Sequence, residues 1–263
     1  MKDLLLFTVH CSRDFIMPQV EHIIEVKGLV KKFGFKTVLR KVDLSLEKGD
    51  FLALFGHNGA GKTTLIRILC SLMRPTSGEL RIAGLDPLHE RETLCHTIGV
   101  ISHRTFLYKN LSAFENLSFY GKMYEVRDLM DRIDALLDLV GLSEYRNDPV
   151  DTFSRGMQQR LSVARAIIHD PQILFLDEPY TGLDQHGAED LKKLLKRFRS
   201  QGKTILMTSH NIDRGLELCN QSAILKSGRL VFKEEMSKNL KDDFKQLYFK
   251  LTGENALSVG VSS

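Results

Sequence analysis

Eight residues, Gly56-His57-Asn58-Gly59-Ala60-Gly61-Lys62-Thr63, follow the spacing GxxxxGK[ST]. Such a loop binds phosphate. Its glycines let the backbone close around anionic oxygens, so that several N–H groups and the positive end of the following helix point at one place. At this spacing a lysine bridges the terminal phosphates as a point charge, and the threonine hydroxyl can ligate Mg²⁺. Lys62 and Thr63 take those places, Thr64 adds a hydroxyl, and Gly56, Asn58, Gly59 and Gly61 form the wrapping backbone. The GxGxxG triplet of a dinucleotide fold is absent, which argues against NAD.

Two adjacent carboxylates, Asp177 and Glu178, close the apolar run 173–176. Metal-assisted phosphoryl transfer needs an oxygen ligand beside the cation and a base beside the attacking water. Asp177 reads as the metal-side carboxylate and Glu178 as the base. An acidic pair opening a helix is also favoured by the helix dipole alone, so the pair gains its meaning from the phosphate loop upstream.

These groups need a rigid frame. Residues 51–55, FLALF, are a continuous apolar run that ends at the loop, and Leu65, Ile68, Leu69 and Leu72 then recur at helical spacing: buried strand, loop, helix. ILFLD and KTILMTSH are two further buried strands, separated by a helix with Leu191, Leu194, Leu195 and Phe198 on one face. Strands alternating with helices predict a parallel sheet covered on both sides. Lys192, Lys193, Lys196, Arg197 and Arg199 fall on that helix's opposite, solvated face. Residues 22–26 and 42–46 predict antiparallel strands to one side of the core. The stretch from about 87 to 168 reads as mostly helical, with Leu129, Ile133, Leu136, Leu137 and Val140 on one face and Gly141 as a stop.

The 263 residues suit one large α/β domain, with an N-terminal extension at 1–20 and a C-terminal tail at 236–263. Hydrophobic residues at 43% and charged residues at 27% exclude disorder as the main state. No apolar run approaches the roughly 18–20 residues that cross a bilayer, and the start lacks a cleavage signal, so a cytoplasmic protein is expected, with Met17 as an alternative start. A net charge of +4 is too small to argue for nucleic acid. Cys11, Cys70, Cys95 and Cys219 show no metal or redox spacing and read as reduced thiols.

Three more motifs follow in order: Phe153-Ser154-Arg155-Gly156-Met157-Gln158, Thr181-Gly182-Leu183-Asp184, and Thr208-Ser209-His210. Together with the phosphate loop and ILFLDEP they resemble the ATP-binding subunit of an ABC transporter, over about residues 24–230. The resemblance implies a P-loop NTPase of the ABC type, α/β, with a mixed central sheet, an antiparallel β subdomain and a helical subdomain (residues 21–235 in all). It implies ATP and Mg²⁺, the latter on Thr63 and Asp177. It further implies a homodimer in which Ser154, Gly156 and Gln158 contact the ATP held by the other copy's Lys62. Asp184 falls on the D-loop, His210 is the switch histidine beside the γ-phosphate, and Phe33 is the ring that stacks on adenine. Integral membrane permease subunits are the implied partners, with the chain peripheral on the cytoplasmic face of the inner (plasma) membrane.

Two positions depart from the family pattern. His103 stands where the Q-loop glutamine is usual, and a neutral imidazole is a poorer Mg²⁺ ligand than an amide oxygen, so His103 is expected to sense the γ-phosphate or the membrane partner. Arg155 replaces a signature glycine. His103, SRGMQQRL and DEPYTGLD together resemble the haem-exporter branch that serves c-type cytochrome maturation. Exporters of drugs, polysaccharides or other substrates share much of the pattern. A soluble ABC ATPase that moves no solute is the alternative from another class.

Overall fold

The computed structural model describes residues 21–102 and 104–253, apart from the side chains of residues 238, 239 and 242. Cys11, Met17, the extension 1–20, His103 and the last ten residues lie outside the described residues. A three-stranded antiparallel sheet in the order β2-β1-β4 is made by β1 (Ile24–Phe33), β2 (Lys36–Leu46) and β4 (Ser77–Ile82). A second, six-stranded sheet comprises β3 (Phe51–Phe55), β5 (Ile98–Ser102), β6 (Ile173–Asp177), β7 (Thr204–Ser209), β8 (Gln221–Lys226) and β9 (Arg229–Glu235). Its order is β5-β6-β7-β3-β8-β9; the first five run parallel, and β9 returns antiparallel on β8.

The central strands are apolar throughout because both of their faces are buried. Along β3, Phe51, Ala53 and Phe55 join one core while Leu52 and Leu54 join the other. The second core lies toward the antiparallel sheet and the helix α1 (Lys62–Leu69). The first lies toward α3 (Ala113–Met123), α4 (Leu129–Leu139), α5 (Arg155–Ala166), α6 (Gln185–Ser200) and α7 (Ile212–Leu216). Leu191, Leu194, Leu195 and Phe198 of α6 are all buried there, as the spacing predicts, while Lys192 pairs with Glu217 at 3.0 Å on the outer side.

Three readings from the pattern change, and three strands are added to it. The stretch 87–168 is not helical from its start: after α2 (Arg91–Thr97), β5 forms the edge of the large sheet, and the helices proper begin at α3. IGVIS is too short to separate from a helical run by periodicity. Leu72 is exposed, because α1 stops at Leu69 and Ser71 turns the chain. The strands β4, β8 and β9 carry weak apolar alternation and are found only through their pairing. Residues 238–252, assigned to a tail, form α8 (Lys238–Thr252), whose Phe244 and Tyr248 are buried, with Phe244 against Phe55 and Phe232.

Candidate functional site

In an open parallel sheet, ligand sites form beyond the carboxyl ends of the strands. Here β3 delivers Phe55 to that edge, and the phosphate loop follows at once. Gly61 has φ 112°, and a Cβ on it would stand 2.9 Å from Leu39 Cδ2, so the last loop position requires glycine twice over. No side chain caps α1, which leaves its first N–H groups open to an anion. The Lys62 ammonium, buried, folds back over the loop and donates to Gly56 O at 2.6 Å.

The register of the parallel strands places the acidic pair. Asp177 pairs with Thr208 across β6 and β7, and Thr208 pairs with Leu54 across β7 and β3. Asp177 Oδ1 accepts from Thr63 Oγ1 at 3.1 Å and from Thr208 Oγ1 at 2.9 Å. Glu178 sits one residue past the strand in the left-handed region, φ 52°, a conformation that costs a non-glycine residue about 1 kcal/mol. Its N–H donates to Thr208 Oγ1 at 3.0 Å, which offsets part of that cost. The turn swings the carboxylate into the mouth of the loop: Oε1 lies 3.4 Å from Lys62 Nζ and Oε2 lies 2.8 Å from His210 Nδ1. The His210 N–H also reaches Glu178 Oε2, at 3.3 Å.

Above these groups opens a cleft of about 480 Å³. Asn58, Gly59, Gly61, Lys62, Thr63, Thr64 and Glu178 line it, as the motif implies; Gly56 lies beneath, engaged through its carbonyl. Sequence reasoning missed Lys36, Thr37, Val38, Arg40, His57 and Ser227, which complete the wall. They come from β2, the loop and the β8–β9 turn, and no spacing in the chain announces that β2 and this turn meet there: Arg40 N bonds Gly228 O at 2.8 Å. Thr208 was visible within its motif, but its double role toward Asp177 and Glu178 needed the register. With Lys36, Arg40 and Lys62 against Glu178, the cleft suits a polyanion.

Phe33 ends β1 opposite Lys36, half exposed, with the Lys31 ammonium 5.0 Å from its ring centre. Its free face is compatible with a stacked base. Ser154, Gly156, Gln158 and Asp184 do not line the cleft. Ser154 caps α5 by accepting from Met157 N, Gln158 Nε2 donates to Phe153 O, and Asp184 caps α6 by accepting from Gly187 N at 2.7 Å. Within one chain these motifs therefore form no part of the pocket that holds Lys62.

The sequence profile of the ABC transporter family matches residues 39–181, more than half of the chain. This chain belongs to the ABC transporter family. It is 36% identical over 206 residues to the ABC transporter ATP-binding protein NatA of Bacillus subtilis, covering 77% of this chain and 83% of that one. It is 36% identical over 224 residues to the lantibiotic transport ATP-binding protein SrtF of Streptococcus pyogenes, covering 84% and 96%. The Nod factor export ATP-binding protein I of Cupriavidus pinatubonensis is 35% identical over 218 residues, 82% of this chain and 67% of that one. Among solved structures, an ATP-binding subunit of an ABC transporter superposes with TM-score 0.77 at 27% identity, covering 90% and 97%. A dimeric ATP-binding cassette in a post-hydrolysis state, bound to ADP and Pi, gives 0.74 at 26% identity, covering 81% and 99%. The ABC fold read from the motifs is thus shown, and the chain is an ATP-hydrolysing, ATP-binding subunit of an ABC transporter. Among the described residues no helix is long and apolar enough to cross a membrane.

Proposed function

We propose that this ABC subunit drives an export system as a homodimer seated beneath integral membrane permease subunits, on the cytoplasmic face of the inner membrane. The observation that carries the mechanism is the placement of Glu178 between Lys62 and His210 at the mouth of the phosphate loop. ATP enters the cleft with its base against Phe33 and its phosphates in the loop at Gly56, Asn58, Gly59, Gly61, Lys62, Thr63 and Thr64. The Lys62 ammonium exchanges its carbonyl partner for phosphate oxygens. Glu178 orients a water for in-line attack on the γ-phosphorus and accepts its proton, while His210, released from that carboxylate as the water takes its place, donates its ring N–H to the γ-phosphate.

The oxygens of Thr63 and Asp177, 3.1 Å apart, are the hard donors that Mg²⁺ favours. A Mg²⁺ ion held by Thr63 and Asp177 would supply positive charge beside the terminal phosphates.

The dimer reading is supported by Ser154, Gly156 and Gln158 standing outside their own cleft, and by the dimeric ADP-bound neighbour. In the proposed dimer of this chain, each signature completes the other copy's site, with Asp184 beside it. Export is supported by relatives named for lantibiotic transport and Nod factor export. The narrower reading, haem export, rests on His103, Tyr180 and Thr181. Tyr180 is buried beneath Arg214, a packing role sufficient to explain it without a substrate, and none of the relatives named above is a haem exporter.

The test is Glu178→Gln. We expect turnover to fall by about 10²–10⁴-fold while nucleotide binding persists, since the amide keeps the shape but loses the base; equal loss of both would refute the role. Purified from gently solubilised membranes with Mg-ATP, this form should carry permease subunits. A haem absorption band in that complex would select the haem branch, and its absence would leave another export substrate. Recovery without any membrane protein would favour the soluble alternative.

A further inference from the structure

Arg155, where the signature pattern has glycine, has a seat in its own chain. Its Nη2 donates to Thr181 O at 3.4 Å, and a Cβ built on Gly182 would land on its guanidinium carbon. Gly182 has φ 76°, so both its backbone and its missing side chain make room for the flat group. A second tie runs parallel to it: buried Gln159 of α5 donates through Nε2 to Pro179 O at 3.3 Å. Arg155, Thr181 and Gly182 are all exposed, and local turns, Thr181 N to Glu178 O and Leu183 N to Tyr180 O, shape the loop. The start of α5, which Ser154 caps, is thereby fastened to the six residues that follow Glu178.

We propose that Arg155 is a positioning residue that latches the signature to the 179–184 loop of the same chain. What the signature touches in the partner's site then sets the loop leading from this chain's own Glu178. The two ATP sites are mechanically joined through each subunit. A lysine would reach Thr181 O but could not lie flat on the glycine backbone, so it should serve only in part. This inference rests on the dimer reading above, and the experiment separates the two.

In the Glu178→Gln background, the full chain is titrated with Mg-ATP while its mass is followed by light scattering, and a fluorescent ATP analogue reports binding to each subunit. The Glu178→Gln form should dimerise. Adding Arg155→Ala should raise the ATP concentration needed by about tenfold, two contacts being lost per dimer. Analogue binding to the monomer and the melting temperature should stay unchanged. Gly182→Ala, which fills the seat while keeping the guanidinium, should match Arg155→Ala in the ATP it needs, with a lower melting temperature from alanine at φ 76°, and Arg155→Lys should fall between. Normal dimerisation of the Arg155→Ala form overturns the latch. So does normal dimerisation of the Gly182→Ala form alone, which would make Arg155 a direct phosphate contact. If the Glu178→Gln form itself stays monomeric at saturating Mg-ATP, the dimer reading fails first.

Discussion

Acidification should weaken this fold through one imidazole, and its surroundings set the amount. His169 follows α5 and is 4% exposed, stacked on Tyr124 with ring centroids 3.9 Å apart and planes 14° from parallel. Its Nε2–H donates to Ile98 O at 3.0 Å, while Nδ1 is buried with no hydrogen-bond partner. Burial holds the ring's pKa down to about 4; the Ile98 bond opposes this, His96 and Arg165 reinforce it, and Asp170 opposes it. The unfolded chain binds that proton near pH 6.5. Since the folded value is depressed, the stabilisation is fully present above about pH 6.5 and is lost as pH falls toward 4. Between pH 7.5 and pH 5 the loss from this group is about 2 kcal/mol. Urea denaturation at both pH values, on the native chain and on His169→Gln, isolates the contribution: the native chain should lose about 2 kcal/mol more than the variant. Equal losses in the two proteins, or an imidazole that titrates near pH 6.5 by NMR, would refute the reasoning.

Two further substitutions test the frame around the site. Thr208→Val keeps the shape but leaves the Glu178 N–H unpaired and removes one donor to Asp177, so urea denaturation should show a loss of about 1–3 kcal/mol. Unchanged stability would mean that the hydroxyl does not hold the acidic pair. Phe244→Ala empties a fully buried ring site against Phe55, the residue before the phosphate loop, at a cost of about 3–5 kcal/mol. It should also raise the KM for ATP more than it lowers kcat; a cost under about 1 kcal/mol would show that α8 is peripheral to the core.

The motifs were legible because their chemistry is local. A phosphate loop needs its glycines, lysine and threonine within eight positions, and a buried strand announces itself by an unbroken apolar run, as FLALF and ILFLD do. β5 was hidden, since five residues inside a mostly helical stretch have no period of their own, and β4, β8 and β9 were hidden because their partners cover them only after pairing. Apolar positions in α8 look like any amphipathic stretch until Phe244 is seen against Phe55.

Residue type and spacing by themselves determined that the chain carries a phosphate-loop pattern, that Lys62, Asp177 and Glu178 are its candidates for one reaction, and that the fold alternates buried strands with helices. Tertiary structure alone decided that Thr208 braces the Asp177 carboxylate and the Glu178 backbone, that Lys36, Arg40 and Ser227 wall the cleft, and that Arg155 lies on Gly182. The reason is distance along the chain. Contacts between neighbours in sequence follow from backbone geometry, but those between residues tens of positions apart depend on strand order and register, which many sequences with the same local pattern could satisfy differently.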